Sequence, residues 1–242
     1  FSRLRSERGS AKLDAESLPQ ADAILDAELD RLAGQQPIVV EPSRRAAVLR
    51  RLRADLHRQL EREAGAGATL EPSHFELGFG LDDDCEHPAV ELAGELKLRG
   101  RVDRIDIDSD RGELLVRDYK ASRAPPVAAW GPDGRLQVAL YMLAARELLS
   151  LEPIGGLYQP LSGRDPRARG AVLAGARERV GADVMDNDAL EPQEFAAVLE
   201  GARDRAVALA RELHGGRIHP CPDTCRKGGG CRYPGICRSQ DA

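Results

Sequence analysis

The sequence is poor in aromatic residues, in sulfur and in long apolar runs, and each shortage excludes something. One Trp, four Tyr and four Phe among 242 residues leave little for the base stacking that sequence-tolerant single-strand binders use. Contacts to a nucleic acid would therefore run mainly through phosphates. No apolar stretch approaches the ~18 residues of a membrane span, and the longest convincing run is Val138–Ala145. The first residues, Phe1-Ser2-Arg3-Leu4-Arg5, lack both an initiator Met and the apolar core of a signal peptide. The chain is expected to be a piece of a longer cytoplasmic protein. What is present is a 42% hydrophobic content, which excludes general disorder and is ample for one large core.

Charge is nearly balanced, 35 Lys+Arg against 40 Asp+Glu for a net −5, which argues weakly against a general nucleic-acid coat protein. Its distribution is uneven. Glu41–Ala64 carries seven Arg against four acids, and Arg211–Ala242 carries six basic residues against three acidic ones. Between them, Asp82-Asp83-Asp84-Cys85-Glu86 is an acidic knot. Four of the five cysteines, Cys221, Cys225, Cys231 and Cys237, fall within 17 residues. Such clustering without a secretory signal favours a metal or iron–sulfur site over disulfides.

Apolar periodicity predicts a helix over Asp22–Ala33 and a second from Ser43, a good N-cap, to about Ala64, with Val48, Leu52, Leu56 and Leu60 as its apolar stripe. From His74 the period shortens towards two. Strands are expected at Phe75–Leu81, within Glu91–Asp108 and at Glu113–Lys120; the last two are joined by a turn-rich Asp108–Gly112 and should form an antiparallel hairpin. A helix over Arg135–Leu149, a strand at Ile154–Leu161, a short strand at Ala171–Leu173 and a helix from Pro192 to His214 complete the pattern. Phe195, Val198, Leu199, Ala202, Ala206, Leu209 and Leu213 supply the last helix's apolar face. The chain divides into a helical region (1–70), a mixed α/β core (71–214) and a cysteine-rich tail (215–242).

Along Glu113–Lys120 side chains alternate, so Leu114, Val116, Asp118 and Lys120 share one face. In the partner strand the apolar parity switches near Val102–Asp103, which predicts a bulge or bend there. A hairpin folded about Asp110–Arg111 sets Asp103 opposite Asp118, with Cβ atoms ~4.5–5.5 Å apart. Two facing carboxylates repel unless a cation or proton lies between them. Hard oxygen ligands favour Mg²⁺ or Mn²⁺. The plainer alternative is a surface strand in which Asp103, Arg104, Asp106, Asp118 and Lys120 form ordinary salt bridges.

Gln137 and Tyr141 stand four apart, on one face of the helix that follows. Together, Gly100-Arg101-Val102-Asp103-Arg104-Ile105-Asp106, Arg117-Asp118-Tyr119-Lys120 and Gln137-x-x-x-Tyr141 resemble the RecB-type nuclease domain of the PD-(D/E)XK superfamily, found in helicase–nucleases such as RecB and AddB. The resemblance runs from about Glu71 to the C-terminus and implies a restriction-endonuclease-like fold. It implies that Asp103 and Asp118, with the Tyr119 backbone carbonyl, hold a catalytic Mg²⁺ or Mn²⁺. It further implies that Lys120 positions the attacking water and stabilises charge on the phosphate, and that Gln137 and Tyr141 contact DNA and support the site. The activity implied is a metal-dependent deoxyribonuclease, exonuclease rather than endonuclease, acting on single-stranded DNA or duplex ends beside a helicase domain or subunit in recombinational repair. A non-catalytic DNA-binding module of such a complex is the alternative.

One family feature is missing. The Gly-x-x-x-His helix that usually supplies a further metal ligand has no counterpart: His57 lacks the glycine and reads as an exposed helix residue, and His74 as a strand-entry residue. Glu76 falls where the family often has an acidic residue. Either the chain begins downstream of that histidine, which the missing Met favours, or the domain lacks a full metal site. The tail, Cys221-Pro222-Asp223-Thr224-Cys225 followed by Cys231 to Cys237, resembles the C-terminal motif that holds a 4Fe–4S cluster in AddB-type nucleases, although four thiolates also suit tetrahedral Zn²⁺. Trp130 reads as a loop anchor.

Overall fold

The computed structural model describes residues 1–35, 41–81, 85–181 and 183–217. Three helices open the chain: α1 (Ser2–Arg8), α2 (Leu18–Gln35) and α3 (Pro42–Gly65). The N-cap of α3 is Glu41, not Ser43: its carboxylate accepts from the Ser43 and Arg44 amides, with Pro42 in the first turn. A side-chain oxygen there satisfies amides that have no partner within the helix. The apolar stripe of α3 is only half used, since Gln59 is its one buried residue and Leu52 remains 38% exposed.

Six strands form one mixed sheet in the order β1 (Glu71–Phe79), β4 (Gly100–Asp108), β5 (Glu113–Lys120), β6 (Glu152–Pro160), β7 (Arg169–Leu173), β8 (Ala189–Leu190). The segment expected to hold one long strand also forms β2 (Val90–Leu92) and β3 (Leu96–Leu98), a separate two-stranded sheet. β4 and β5 are the expected antiparallel hairpin. Its turn is set by Asp108, whose carboxylate accepts from the Arg111 amide, and by Gly112 at φ 65°, a left-handed conformation open to glycine. α4 (Gln137–Leu149) carries the chain from β5 to the parallel neighbour β6.

Alternation along β5 sorts its residues between two layers. Leu114 and Val116 join Val138, Ala139 and Met142 of α4 in the main core, which α5 (Pro192–His214) completes through Phe195, Leu199, Ala202 and Ala206. Leu213, expected on that face, is 59% exposed because the helix has by then run past the core. Leu115 points the other way, into a smaller cluster with Leu157, Val172, Ala176 and Val180. Beside it lies a buried charge network. Asp106 (1% exposed) accepts from Arg104 and, at 2.8 Å, from Arg117 Nε; Arg104 also binds Glu63 of α3, and Arg117 donates to the Val180 carbonyl at 2.6 Å. Burial opposes the charge on Asp106, but the two guanidiniums outweigh it and hold the carboxyl below its usual range. This network ties α3 to the back of the hairpin, where a surface strand with ordinary salt bridges was the plainer expectation.

The expected bend near Val102–Asp103 arises differently from a bulge. Phe75 pairs with Arg104 and Leu77 with Val102, so the register is the same on both sides, and the shift in this ladder falls between Pro72 and His74. Instead Glu76, across from Asp103, adopts φ 54°, a conformation costly for a residue with a Cβ. The turn it makes sends Leu77 and Val102 into the main core while Phe75 and Arg104 face the N-terminal helices, where Phe75 stacks on Phe1.

Candidate active site

The β4–β5 ladder runs from Asp108↔Glu113 to Arg104↔Arg117 and stops one residue short of Asp103 and Asp118. Beyond that point a side chain replaces the backbone: Asp103 Oδ2 accepts the Tyr119 amide at 2.7 Å. The same bond anchors the Asp103 carboxylate beside Asp118, at the C-terminal end of β5. Asp118 is 2% exposed. Its Oδ2 is buried without a well-aligned hydrogen bond and is held instead by charge contact with Lys120 Nζ. Burial pushes the Asp118 carboxyl above the usual carboxylate range; Lys120 pulls it back, and the nearby Asp103 adds to the push.

Lys120 is fixed from three sides. Its Nζ donates to Gln137 Oε1 at 3.0 Å and lies 5.1 Å from the centroid of the Tyr158 ring, within cation–π range. Its carbonyl accepts from the Leu161 amide at 2.8 Å, which extends the parallel β5–β6 pairing past the strand ends. Gln137 is exposed at the first turn of α4. Tyr141, one turn on, is half-buried and packs edge-on against Phe79. A Cβ on Gly100 would stand 3.1 Å from the Tyr141 ring, so the glycine that opens β4 is what lets this tyrosine close over the strand. Asp103, Asp118, Lys120, Gln137 and Tyr141 are thus gathered around the end of β5.

Neither histidine joins them. His57, expected to be exposed, is clasped between two α2 carboxylates, Nδ1 2.6 Å from Asp22 and Nε2 3.0 Å from Asp26. His74 sits within β1 opposite Ile105. Trp130 is a loop anchor, 4% exposed, with Nε1 donating to the Pro125 carbonyl. Tyr158 is the residue that sequence reasoning missed. It lies in parallel register with Asp118 and stacks edge-on with Trp130. In sequence it is one aromatic in an apolar strand, and only the β5–β6 register puts it beside the acid.

A model of the PD-(D/E)XK nuclease superfamily matches residues 4–238. The chain belongs to this superfamily. Its fold is accordingly a mixed α/β restriction-endonuclease-like core with N-terminal helices, of the kind that carries nuclease activity, and the match spans all three segments distinguished in the sequence. No curated protein matches the chain.

Two narrower expectations are corrected by these findings. The match is to the superfamily, so the restriction to a RecB/AddB-type branch with an iron–sulfur motif is withdrawn. Among the described residues no group of three or more His, Cys, Asp or Glu side chains is placed to hold a metal ion. A 4Fe–4S cluster or structural Zn²⁺ needs about four donors, and the one described thiol, Cys85, stands alone; neither cofactor is retained. Cys221, Cys225, Cys231 and Cys237 lie outside the described residues. Among those residues no helix is long and apolar enough to cross a membrane.

Proposed function

We propose that this PD-(D/E)XK domain hydrolyses phosphodiester bonds in DNA at the end of β5, with Asp103, Asp118 and Lys120 as its catalytic residues. The observation that carries the reading is the buried Asp118 oxygen, which lacks a well-aligned donor and lies beside a second carboxylate and one lysine. A buried carboxylate oxygen held by one ammonium and facing a second carboxylate suits a hard cation, and Mg²⁺ is commonly bound by one or two carboxylates with water and substrate phosphate completing the shell. Asp118 and Asp103 would hold Mg²⁺ or Mn²⁺, with the Tyr119 carbonyl as a third oxygen. When bound, the ion would polarise the phosphate and lower the pKa of a bound water. Asp103 keeps its position through the Tyr119 amide. Lys120 presents a positive charge where the phosphate gains negative charge, and Gln137 and Tyr158 hold that ammonium in place. Gln137 and Tyr141 flank the approach to it and would touch the DNA.

The test is cleavage of linear single-stranded and duplex DNA with Mg²⁺ or Mn²⁺, by the wild type and by Asp118→Asn and Lys120→Ala. Cleavage that either substitution leaves untouched places the chemistry elsewhere. DNA binding without cleavage by any of the three supports the non-catalytic alternative. In its finer form the proposal is an exonuclease working beside a helicase in recombinational repair. Degradation of linear but not circular DNA, and coupling to a helicase's unwinding, would support it; equal cutting of circles would count against it.

A further inference from the structure

The arginines of α3 divide into two sets. Those facing α2 are spent on it: Arg53 pairs with Asp26 and Asp30, and Arg45 donates to the Ala33 carbonyl. Those facing away are not. Arg44, Arg51, Arg58 and Arg62 recur at spacings of seven, seven and four residues, which places them on one ridge of a helix. The Arg44 guanidinium has no partner among the described residues, its backbone amide alone being held by Glu41. One carboxylate, Asp55, serves both Arg51 (3.8 Å) and Arg58. The side chains of Arg51 and Arg58 are 78% and 58% exposed. Arg62 is held below its usual range by burial and by the Arg58 charge, as expected where cations outnumber carboxylates.

The ridge also points in a definite direction. Glu63 meets Arg104, at the level of Arg117 in β5. One turn earlier Gln59 meets Gln159, at the level of Tyr119. Moving towards the N-terminus of α3 therefore means moving towards the C-terminal end of β5. Residues 42–55 continue past it for ~20 Å at 1.5 Å per residue, and their ion pairs to other elements go to α2. The basic ridge thus projects beyond the end of the sheet that carries Asp118 and Lys120.

We propose that the outward ridge of α3, Arg44–Arg51–Arg58, is a tracking surface for the phosphate backbone of the nucleic acid that the candidate active site receives. It deepens the nuclease reading and rests on it. Successive guanidiniums about 10 Å apart along the helix suit a polyanion with repeating charge, and the planar fork of arginine suits phosphate oxygens. Phosphate contacts of this kind fix register without reading sequence. The few aromatics of the chain point the same way.

The experiment measures binding of labelled single-stranded and duplex oligonucleotides by fluorescence anisotropy across a salt series, in EDTA so that no cleavage intervenes. The wild type is compared with the triple variants Arg44→Ala/Arg51→Ala/Arg58→Ala and Arg44→Lys/Arg51→Lys/Arg58→Lys, with Arg203→Ala/Arg205→Ala on α5 as control. The alanine variant should bind about tenfold or more weakly at low salt, and its slope of log affinity against log salt should flatten by roughly 2 to 3. The lysine variant should keep most of the slope, and the control all of it. An unchanged slope in an alanine variant with wild-type circular dichroism overturns the proposal, as does a slope lost equally in the control. Because the readout is binding, failure of cleavage in every variant would sink the nuclease reading and leave the ridge standing.

Discussion

A single methyl group on Gly156 should unsettle both the core and the candidate site. Gly156 lies in the middle of β6 under α4, and a Cβ there would stand 2.4 Å from Val138 Cγ1, 2.8 Å from Met142 Sδ and 2.9 Å from Met142 Cε. Carbon atoms in contact rest about 3.5–4.0 Å apart, so the overlap exceeds an ångström. Val138 and Met142 are each 0% exposed, which leaves neither side chain a free direction, and α4 as a whole must lift. Overpacking of this kind costs about 1–3 kcal/mol. In a chain of this length each kcal/mol moves Tm by roughly 2–4 °C, so Gly156→Ala should lower it by roughly 2–12 °C. Gly201 is the control: it lies inside α5 with nothing within 4 Å of its Cβ position, and Gly201→Ala should raise Tm through helix propensity, worth about 1 kcal/mol. Lifting α4 also withdraws Gln137 from Lys120, and misplacement by about 1 Å can cost a hundredfold in rate. Scanning calorimetry of both variants, with DNA cleavage alongside, decides the matter. A Gly156→Ala protein as stable as the wild type would refute the packing that sets the height of α4 above β6.

Other consequences concern charge. Asp106→Ala leaves Arg104 and Arg117 buried without their shared carboxylate and should cost about 3–5 kcal/mol by denaturant unfolding. Because the folded protein depresses the Asp106 pKa from 3.8, its contribution is present above that value and lost as pH falls through the folded one, so the variant should show a flatter acid limb. His57 has the opposite sign. Burial works against its charge, but Asp26 and Asp22 raise its pKa above 6.5, so the clasp is fully present below 6.5 and lost as pH rises through the folded value. Hydrogen exchange of α2 and α3 should therefore quicken relative to α4 over that window, and His57→Gln should remove the difference. Asp118→Asn should abolish cleavage yet raise Tm. The folded state raises the Asp118 pKa above 3.8, so ionisation is penalised above the folded value and not below 3.8. The Tm gain should open as pH rises through that interval, and a variant less stable than wild type at neutral pH would contradict it.

Much of this was legible in the sequence, for identifiable reasons. β5 and α5 are predicted to the residue because each carries its own period and its own stops, a glycine turn before one and Pro192 at the start of the other. The hairpin register follows from the short connection, and with it the approach of Asp103 to Asp118. What escaped is non-local. Asp106 and Arg117 look like ordinary surface residues until strand pairing shows that Asp106 faces Leu115 and Arg104 faces Arg117, both beneath α3. Nothing in the run from His74 to Phe79 announces that Glu76 will be left-handed; that is imposed by where two paired strands must change face together. Leu213 and Leu52 keep the helical period but lie where the helices have outrun the layer they cover.

Three features that look separate are one mechanical arrangement. For the Asp103 and Asp118 carboxylates to converge, β4 must leave β5 one residue before that pair, and the left-handed Glu76 across the β1–β4 ladder is where the change of direction is made. A departing strand surrenders a backbone hydrogen bond, and Asp103 restores it by accepting the Tyr119 amide; the interaction that closes the gap also aims the carboxylate. Strands separated at one end need to be clamped just behind it, and the Arg104–Asp106–Arg117 network sits one to three residues from the gap, on the opposite face of the sheet. Asp118 then stands buried beside Asp103 with one oxygen held by Lys120 but without a well-aligned hydrogen bond, a state unfavourable by itself and stabilised by the clamp behind it. On this view weakening Asp106 should harm catalysis before it unfolds the chain, since the first thing to relax is the separation between the two acids.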